Sequence, residues 1–195
     1  NYAQTSTSLA STLNMKYLNY LSEAMENESK DHGILYQMFD NNLVMRNFKS
    51  AGYQVYNISS GSWNTGSIDI ADEHLCIKNQ NIDYRTLYQL KQTSILRAFD
   101  MLIKEPTSQI FHQQHRNIIL CQFDEITKIK QTTGEPVFVF MHVITPHEPF
   151  VFGPNGEEVD YKYTLGPNVV TPFGSTSKFG LTPSEEIKAY RDQVI

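Results

Sequence analysis

Four consecutive hydroxyl residues, Thr5-Ser6-Thr7-Ser8, stand where a helical pattern begins. A helix N-terminus offers free N–H groups and a partial positive charge, and both attract phosphate or sulfate. A hydroxyl placed there becomes a nucleophile when a metal ion or a base lowers its pKa. The plainer reading is an N-cap with solvated neighbours. The second candidate is His147, which follows a long apolar run and lies between Pro146 and Pro149. An imidazole there can donate a hydrogen bond to an anionic oxygen or protonate a leaving group. Its plainer reading is a turn residue. His142, inside the apolar run, reads as a core histidine or as a group that orients the surroundings of His147. His112 and His115, three apart, could share a metal on one helix face, but nothing near them in sequence supplies further ligands. Asp31-His32 is good metal-ligand material, yet it reads as a turn between two helices. Asn27-Glu28-Ser29 and Asn57-Ile58-Ser59 fit the N-glycosylation triplet, which also occurs by chance.

These residues need elements to hold them. Leu9, Leu13, Tyr17, Leu21 and Met25 recur every four residues, which predicts one helix starting at Thr5 or Ser6 and running to about residue 26. The polar run at its head is expected to cap the free amides. A second helix is predicted from about Ile34 to Lys49, ended by Gly52, and Tyr53 to Ile58 reads as a short strand. Ser59 to Gly66 is a loop rich in Ser, Gly and Asn around Trp63. Residues 67–83 read as irregular and acidic. Leu87, Leu90, Ala98, Met101 and Leu102 mark a third helix, broken by Pro106. Ile119, Phe123, Ile126 and Ile129 mark a fourth, ended near Gly134. Val137 to Ile144 is the clearest strand, predicted over 136–145, and its near-continuous apolar character is that of a strand buried on both faces. Residues 146–181 read as a long loop or small hairpin suited to substrate selection. Thr182-Pro183-Ser184-Glu185 is a capping box that opens a final helix over 182–195. Helices alternating with hydrophobic strands predict an α/β layered domain. Ligands of such sheets gather at the carboxyl ends of the strands, where His147 falls.

Composition narrows the choice of function. The chain has 195 residues, 40% of them hydrophobic and 19% charged, with a net charge of −5. That suits one domain of ordinary size. A protein that neutralises nucleic-acid phosphates carries a basic surplus, and there is none, so no nucleic-acid partner is expected. No apolar run reaches the roughly 18 residues a membrane helix needs, so this segment is not expected to contact a membrane. Cys76 and Cys121 could form one bridge, and buried free thiols fit equally well. The chain opens at Asn1 without an initiator Met and closes in an unfinished helical pattern, so it reads as a piece of a longer protein.

Two segments together resemble the sulfatase family of the alkaline-phosphatase superfamily. Asn1-Tyr2-Ala3-Gln4-Thr5-Ser6-Thr7-Ser8-Leu9-Ala10-Ser11-Thr12-Leu13-Asn14 resembles the nucleophile helix of membrane-anchored sulfatase-like proteins and of lipoteichoic acid synthase-type phosphoglycerol transferases. Phe138 to Phe150, with Pro146-His147-Glu148-Pro149-Phe150 at its end, resembles the family strand that closes in Pro-His-x-Pro-Phe/Tyr. Their separation, and the closing Tyr190-Arg191-Asp192-Gln193, are also similar to the family. The resemblance implies a layered α/β/α domain, of which this chain is the central part. It implies that Thr5 is both the nucleophile and a ligand of a divalent ion, whether Mn, Zn, Mg or Ca, and that His147 and His142 bind the phosphate or sulfate ester. It also implies a parent protein anchored to a membrane, with this domain on the extracytoplasmic side.

The departures from the family set expectations as well. Classical sulfatases carry Cys or Ser in a Cys/Ser-x-Pro-x-Arg motif that is oxidised to formylglycine. Thr5 is followed by neither the Pro nor the Arg. A threonine ester therefore fits phosphoryl transfer better than formylglycine chemistry. The remaining metal ligands of the family come from strands this sequence does not carry, so the segment alone is expected to be inactive. Two rivals stand beside this reading. One is a non-enzymatic binding or interaction module, which puts no demand on Thr5 and His147 to face one cleft. The other is a true sulfate-ester hydrolase.

Overall fold

Asn14 divides what the sequence reads as one helix. The computed structural model describes residues 2–25, 33–61, 65–77, 107–129, 134–159 and 183–194. In it α1 runs over Thr5–Leu13 and α2 over Asn19–Ala24. Asn14 Nδ2 donates to the carbonyls of Ala10 (2.9 Å) and Met38 (3.0 Å), and its Oδ1 accepts from the Leu43 amide at 3.2 Å. A side chain that competes for backbone groups ends a helix, and Met15 follows with φ 51°. Tyr17, expected on the buried stripe, is therefore exposed and Leu18 is buried in its place, while Leu21 is buried as expected.

A second asparagine does the same. The helix expected over Ile34 to Lys49 is two helices, α3 (Gly33–Asp40) and α4 (Leu43–Ser50). Asn42, fully buried, caps α4 by accepting from the Met45 amide at 2.9 Å, and its Nδ2 donates to Phe39 O at 2.9 Å. Gly52, at φ 85°, then turns the chain as expected into β1 (Gln54–Ile58).

The chain divides into two compact units, residues 1–77 with 122–142, and residues 78–121 with 143–195. The first holds a parallel three-stranded sheet in the order β2-β1-β3, with β2 at Glu73–Leu75 and β3 at Val137–Met141. β2 lies inside the stretch read as irregular. Its polar Glu73 and His74 hide a strand that β1 recruits as a neighbour, with Tyr56 opposite Glu73 and Ile58 opposite Leu75. The link is tied further by Asp72, whose amide donates to Val55 O at 2.7 Å and whose Oδ2 accepts from the Val55 amide at 2.8 Å. β3 departs from expectation too: each of its residues is half-buried, and in the sheet of the described residues it is an edge strand paired only with β1. One face of the sheet is covered by α4, where Val55, Met45 and Ile68 are fully buried and Phe48 stacks on Phe138 at 4.2 Å. Ala10 and Leu13 of α1 pack with Leu35 and Phe39 of α3, and Phe140 of β3 packs against that cluster.

In the second unit, α5 (Thr107–Lys128, of which Thr107 to Cys121 belong here) and α6 (Pro183–Gln193) hold residues 143–159. Ile119, Val151 and Phe152 form the core, with Val143 against it. Phe152 bridges Glu158 in antiparallel fashion, so the expected small hairpin is present over 152–158. α6 begins at Pro183, the position where a missing N–H costs nothing. The third predicted helix, residues 160–181 of the long loop and the Asp31-His32 turn lie outside the described residues. The architecture is α/β. Among the described residues no helix is long and apolar enough to cross a membrane.

Candidate functional site

Thr5 is the first residue of α1, not its cap. Gln4 holds the cap position, extended at φ −98° and ψ 140°, and its side chain makes no hydrogen bond to the helix. The expected capping by the hydroxyl run does not occur, because Thr5 to Ser8 lie inside the first turns. There their hydroxyls meet carbonyls rather than free amides: Thr7 Oγ1 donates to Gln4 O at 3.0 Å, and further along Thr12 Oγ1 donates to Ser8 O at 2.9 Å. The first amides of a helix have no intrahelical acceptor, and no side chain of the cap residue takes them. Thr5 is exposed, and among the described residues its hydroxyl makes no hydrogen bond. Ser6 beside it is buried.

His142 stands one residue past β3, at the carboxyl edge of the first unit's sheet. Its Nδ1 lies 2.8 Å from Thr65 Oγ1, which lies 2.6 Å from Ser60 Oγ. Gln122 Nε2 of α5 donates to His142 O at 3.0 Å. Asn57, Ser59, Ser60, Thr65 and Gln122 are all at most 3% exposed. The loop is closed by Ser60 N donating to Thr65 O at 3.3 Å, and Asn57 Nδ2 donates to Gly66 O at 3.3 Å. The carboxyl ends of β1 and β3 thus carry a buried polar cluster where open α/β sheets place their ligands. Ser60 and Thr65 were not legible as site residues. The available signal was two serines directly after a β-branched strand. Asn57, fully buried, is not an accessible glycosylation acceptor in the folded chain, and Asn27 lies outside the described residues.

His147, in the second unit, is exposed, and its loop is pinned from behind. The Thr145–Pro146 and Glu148–Pro149 bonds are both cis. The His147 amide donates to Ile144 O at 3.0 Å, and its own carbonyl accepts from Gln193 Nε2 at 3.1 Å. Gln193 Oε1 also accepts from the Val151 amide at 2.5 Å. From α5, His112 Nε2 meets Phe150 O at 2.8 Å. Arg116 donates to Val151 O and Gly156 O, both at 2.9 Å, with its guanidinium 4.4 Å from the Phe152 ring centroid. Among the described residues the His147 imidazole makes no hydrogen bond, so an exposed donor stands on a rigid support.

His112 and His115 are both buried among protein groups. Burial, then the neighbouring His112, pushes the His115 pKa down to about 4. Of the two, His112 braces the loop through the Phe150 carbonyl. Among the described residues no three His, Cys, Asp or Glu side chains gather where they could hold a metal ion. Neither cysteine is a free thiol, since Cys76 and Cys121 are both disulfide-bonded. Thr5 and His142 belong to the first unit and His147 to the second. No protein-family model, no curated protein and no solved structure matches the chain.

Proposed function

We propose that the chain is the central part of a sulfatase-like, alkaline-phosphatase-superfamily domain that transfers a phosphoryl or sulfuryl group through an ester of Thr5. The observation that carries this reading is the head of α1, where an exposed hydroxyl stands among helix amides that the cap side chain leaves unused. Those amides suit the oxygens of a transferring anion. The resemblance of both flanking motifs to the family supplies the rest, together with the pinned loop that presents His147.

In the first step Thr5 Oγ1 bonds to phosphorus or sulfur, its proton passes to solvent, and the bond to the leaving alcohol breaks. His147 donates a proton to the departing oxygen. In the second step water or an acceptor alcohol attacks the phosphorus or sulfur, its proton restores His147, and the bond to Thr5 Oγ1 breaks as that oxygen takes a proton back from solvent. His142 hydrogen-bonds a non-bridging oxygen. The divalent ion that the resemblance implies (Mn, Zn, Mg or Ca) finds no complete ligand set among the described residues, so it enters none of these steps. The segment alone is proposed to be inactive.

Both cysteines being disulfide-bonded supports a position in an oxidising, extracytoplasmic compartment, because cytosolic thiols are kept reduced. The membrane anchor of the parent protein is likewise a proposal.

The test is a covalent trap in the complete protein. With aryl phosphate or phosphoglycerol substrate and each of the four metals, intact mass should show a phosphoryl adduct on Thr5, lost in Thr5→Ala. Turnover should fall at least 100-fold in His147→Ala. Turnover of aryl sulfates alone would favour the sulfate-ester hydrolase. Absence of any adduct or turnover, with the protein folded, would leave the non-enzymatic module.

A further inference from the structure

We infer that Arg116 is a positioning residue for His147. Its guanidinium, on α5, holds the Val151 main chain from one side while Gln193, on α6, holds it from the other, and this clamp sets where the His147 imidazole points. The inference rests, for its functional meaning, on the reading of His147 as the proton donor to the leaving oxygen. Every residue in it belongs to the second unit.

A segment bounded by two prolines is poor at fixing itself, because Pro146 and Pro149 have no N–H to give. Side chains of two helices supply the support. Gln193 Nε2 donates to His147 O at 3.1 Å, and Gln193 Oε1 accepts from the Val151 amide at 2.5 Å. Arg116 Nη1 donates to Val151 O at 2.9 Å. The amide and the carbonyl of fully buried Val151 are thus taken by different helices. Gln193 bonds both Val151 and His147, so slack at Val151 passes directly to His147.

Arg116 also reaches beyond Val151. Its Nη2 donates to Gly156 O at 2.9 Å, and the guanidinium lies 4.4 Å from the ring centroid of Phe152. The turn between those residues is closed by the Gly153 amide on Glu157 O at 2.8 Å and by the bridge from Phe152 to Glu158. One side chain therefore holds two carbonyls five residues apart and seats an aromatic ring between them. A planar fork of fixed donors does this, and it stays charged at any pH the protein meets. A lysine ammonium is a point charge on a flexible stem and cannot hold both carbonyls while lying on the ring.

A positioned acid is worth most where the leaving oxygen is most basic. An alkyl leaving group needs a proton as its bond breaks, whereas 4-nitrophenolate departs without one. Loosening His147 should therefore cost rate on alkyl esters and spare 4-nitrophenyl esters. A general loss of folded protein would lower both equally.

The experiment has two arms. In this chain, ¹⁵N relaxation should give the His147 and Val151 amides order parameters of about 0.85, falling below about 0.6 in Arg116→Lys. Arg116→Gln, neutral and shorter, should loosen the same amides and serves if Arg116→Lys does not fold. In the complete protein with its metal, Arg116→Lys should lower kcat/KM about tenfold on an alkyl ester of phosphoglycerol and less than twofold on the 4-nitrophenyl ester. In a His147→Ala background the same substitution should change neither. Amides that stay rigid in a folded variant overturn the inference. So do equal losses on the two esters, or a further loss in the His147→Ala background, since either marks a merely structural role. A complete protein that turns over neither ester defeats the transferase reading, and the relaxation arm then decides by itself whether Arg116 positions His147.

Discussion

The carboxamide of Gln193, near the end of α6, donates to the main-chain carbonyl of His147 at 3.1 Å, while its oxygen accepts from the Val151 amide at 2.5 Å. One buried side chain thus fixes both ends of the Pro-bounded loop. Gln193→Ala should leave the Val151 amide buried without its acceptor, at a cost of about 1–3 kcal/mol. Thermal unfolding should show a lowered Tm, and hydrogen exchange should quicken at Val151 and Phe152. Unchanged exchange there would mean the loop is held by other contacts.

Asn42 is fully buried and serves two helices at once. Its oxygen caps α4 through the Met45 amide, and its amide donates to Phe39 O at the end of α3. Asn42→Ala should cost about 1–2 kcal/mol from the cap alone. Asn42→Ser keeps an uncharged capping oxygen and loses the amide donor, so its loss should be smaller. Urea unfolding of the two variants checks the order, and equal losses would refute the capping role.

Stability should fall as pH drops from about 6.5 toward about 4. The folded chain holds the His115 pKa down at about 4 by burial, and secondarily by His112, whereas unfolding returns it to its ordinary value of 6.5. Between those values the unfolded state binds more protons, so stability rises with pH and is fully present above about 6.5. Urea unfolding at pH 7, 5.5 and 4.5 should show this slope in wild type and a shallower one in His115→Gln. Parallel slopes in the two proteins would refute it.

Cys76 and Cys121 should be unreactive until reduced, since both are disulfide-bonded. A thiol titration in denaturant should find none before reduction and two after. Reduction should lower stability by about 2–4 kcal/mol. Two reactive thiols in the untreated chain would show that the bridge is not formed.

The sequence by itself determined the elements whose cause is local. Apolar spacing marked the helices, the Val137 run marked β3, Gly52 ended α4 and Pro183 opened α6, because periodicity, left-handed backbone and the missing proline N–H act within a few residues. It also pointed to the head of α1 and the loop around His147. The tertiary structure decided the rest. Asn14 split one predicted helix by bonding Met38 and Leu43, far along the chain, and no local pattern shows those partners; Asn42 split the other as an N-cap whose partners, Phe39 and Met45, lie only three residues away, a local signal that the apolar spacing hid. Glu73-His74-Leu75 became a strand because β1 offered it an edge. Thr65 reached His142 across 77 positions, and Gln193 reached His147 across 46. A hydrogen bond between distant residues depends on where the packed core carries each backbone, and that position is a property of the whole fold rather than of the residues on either side.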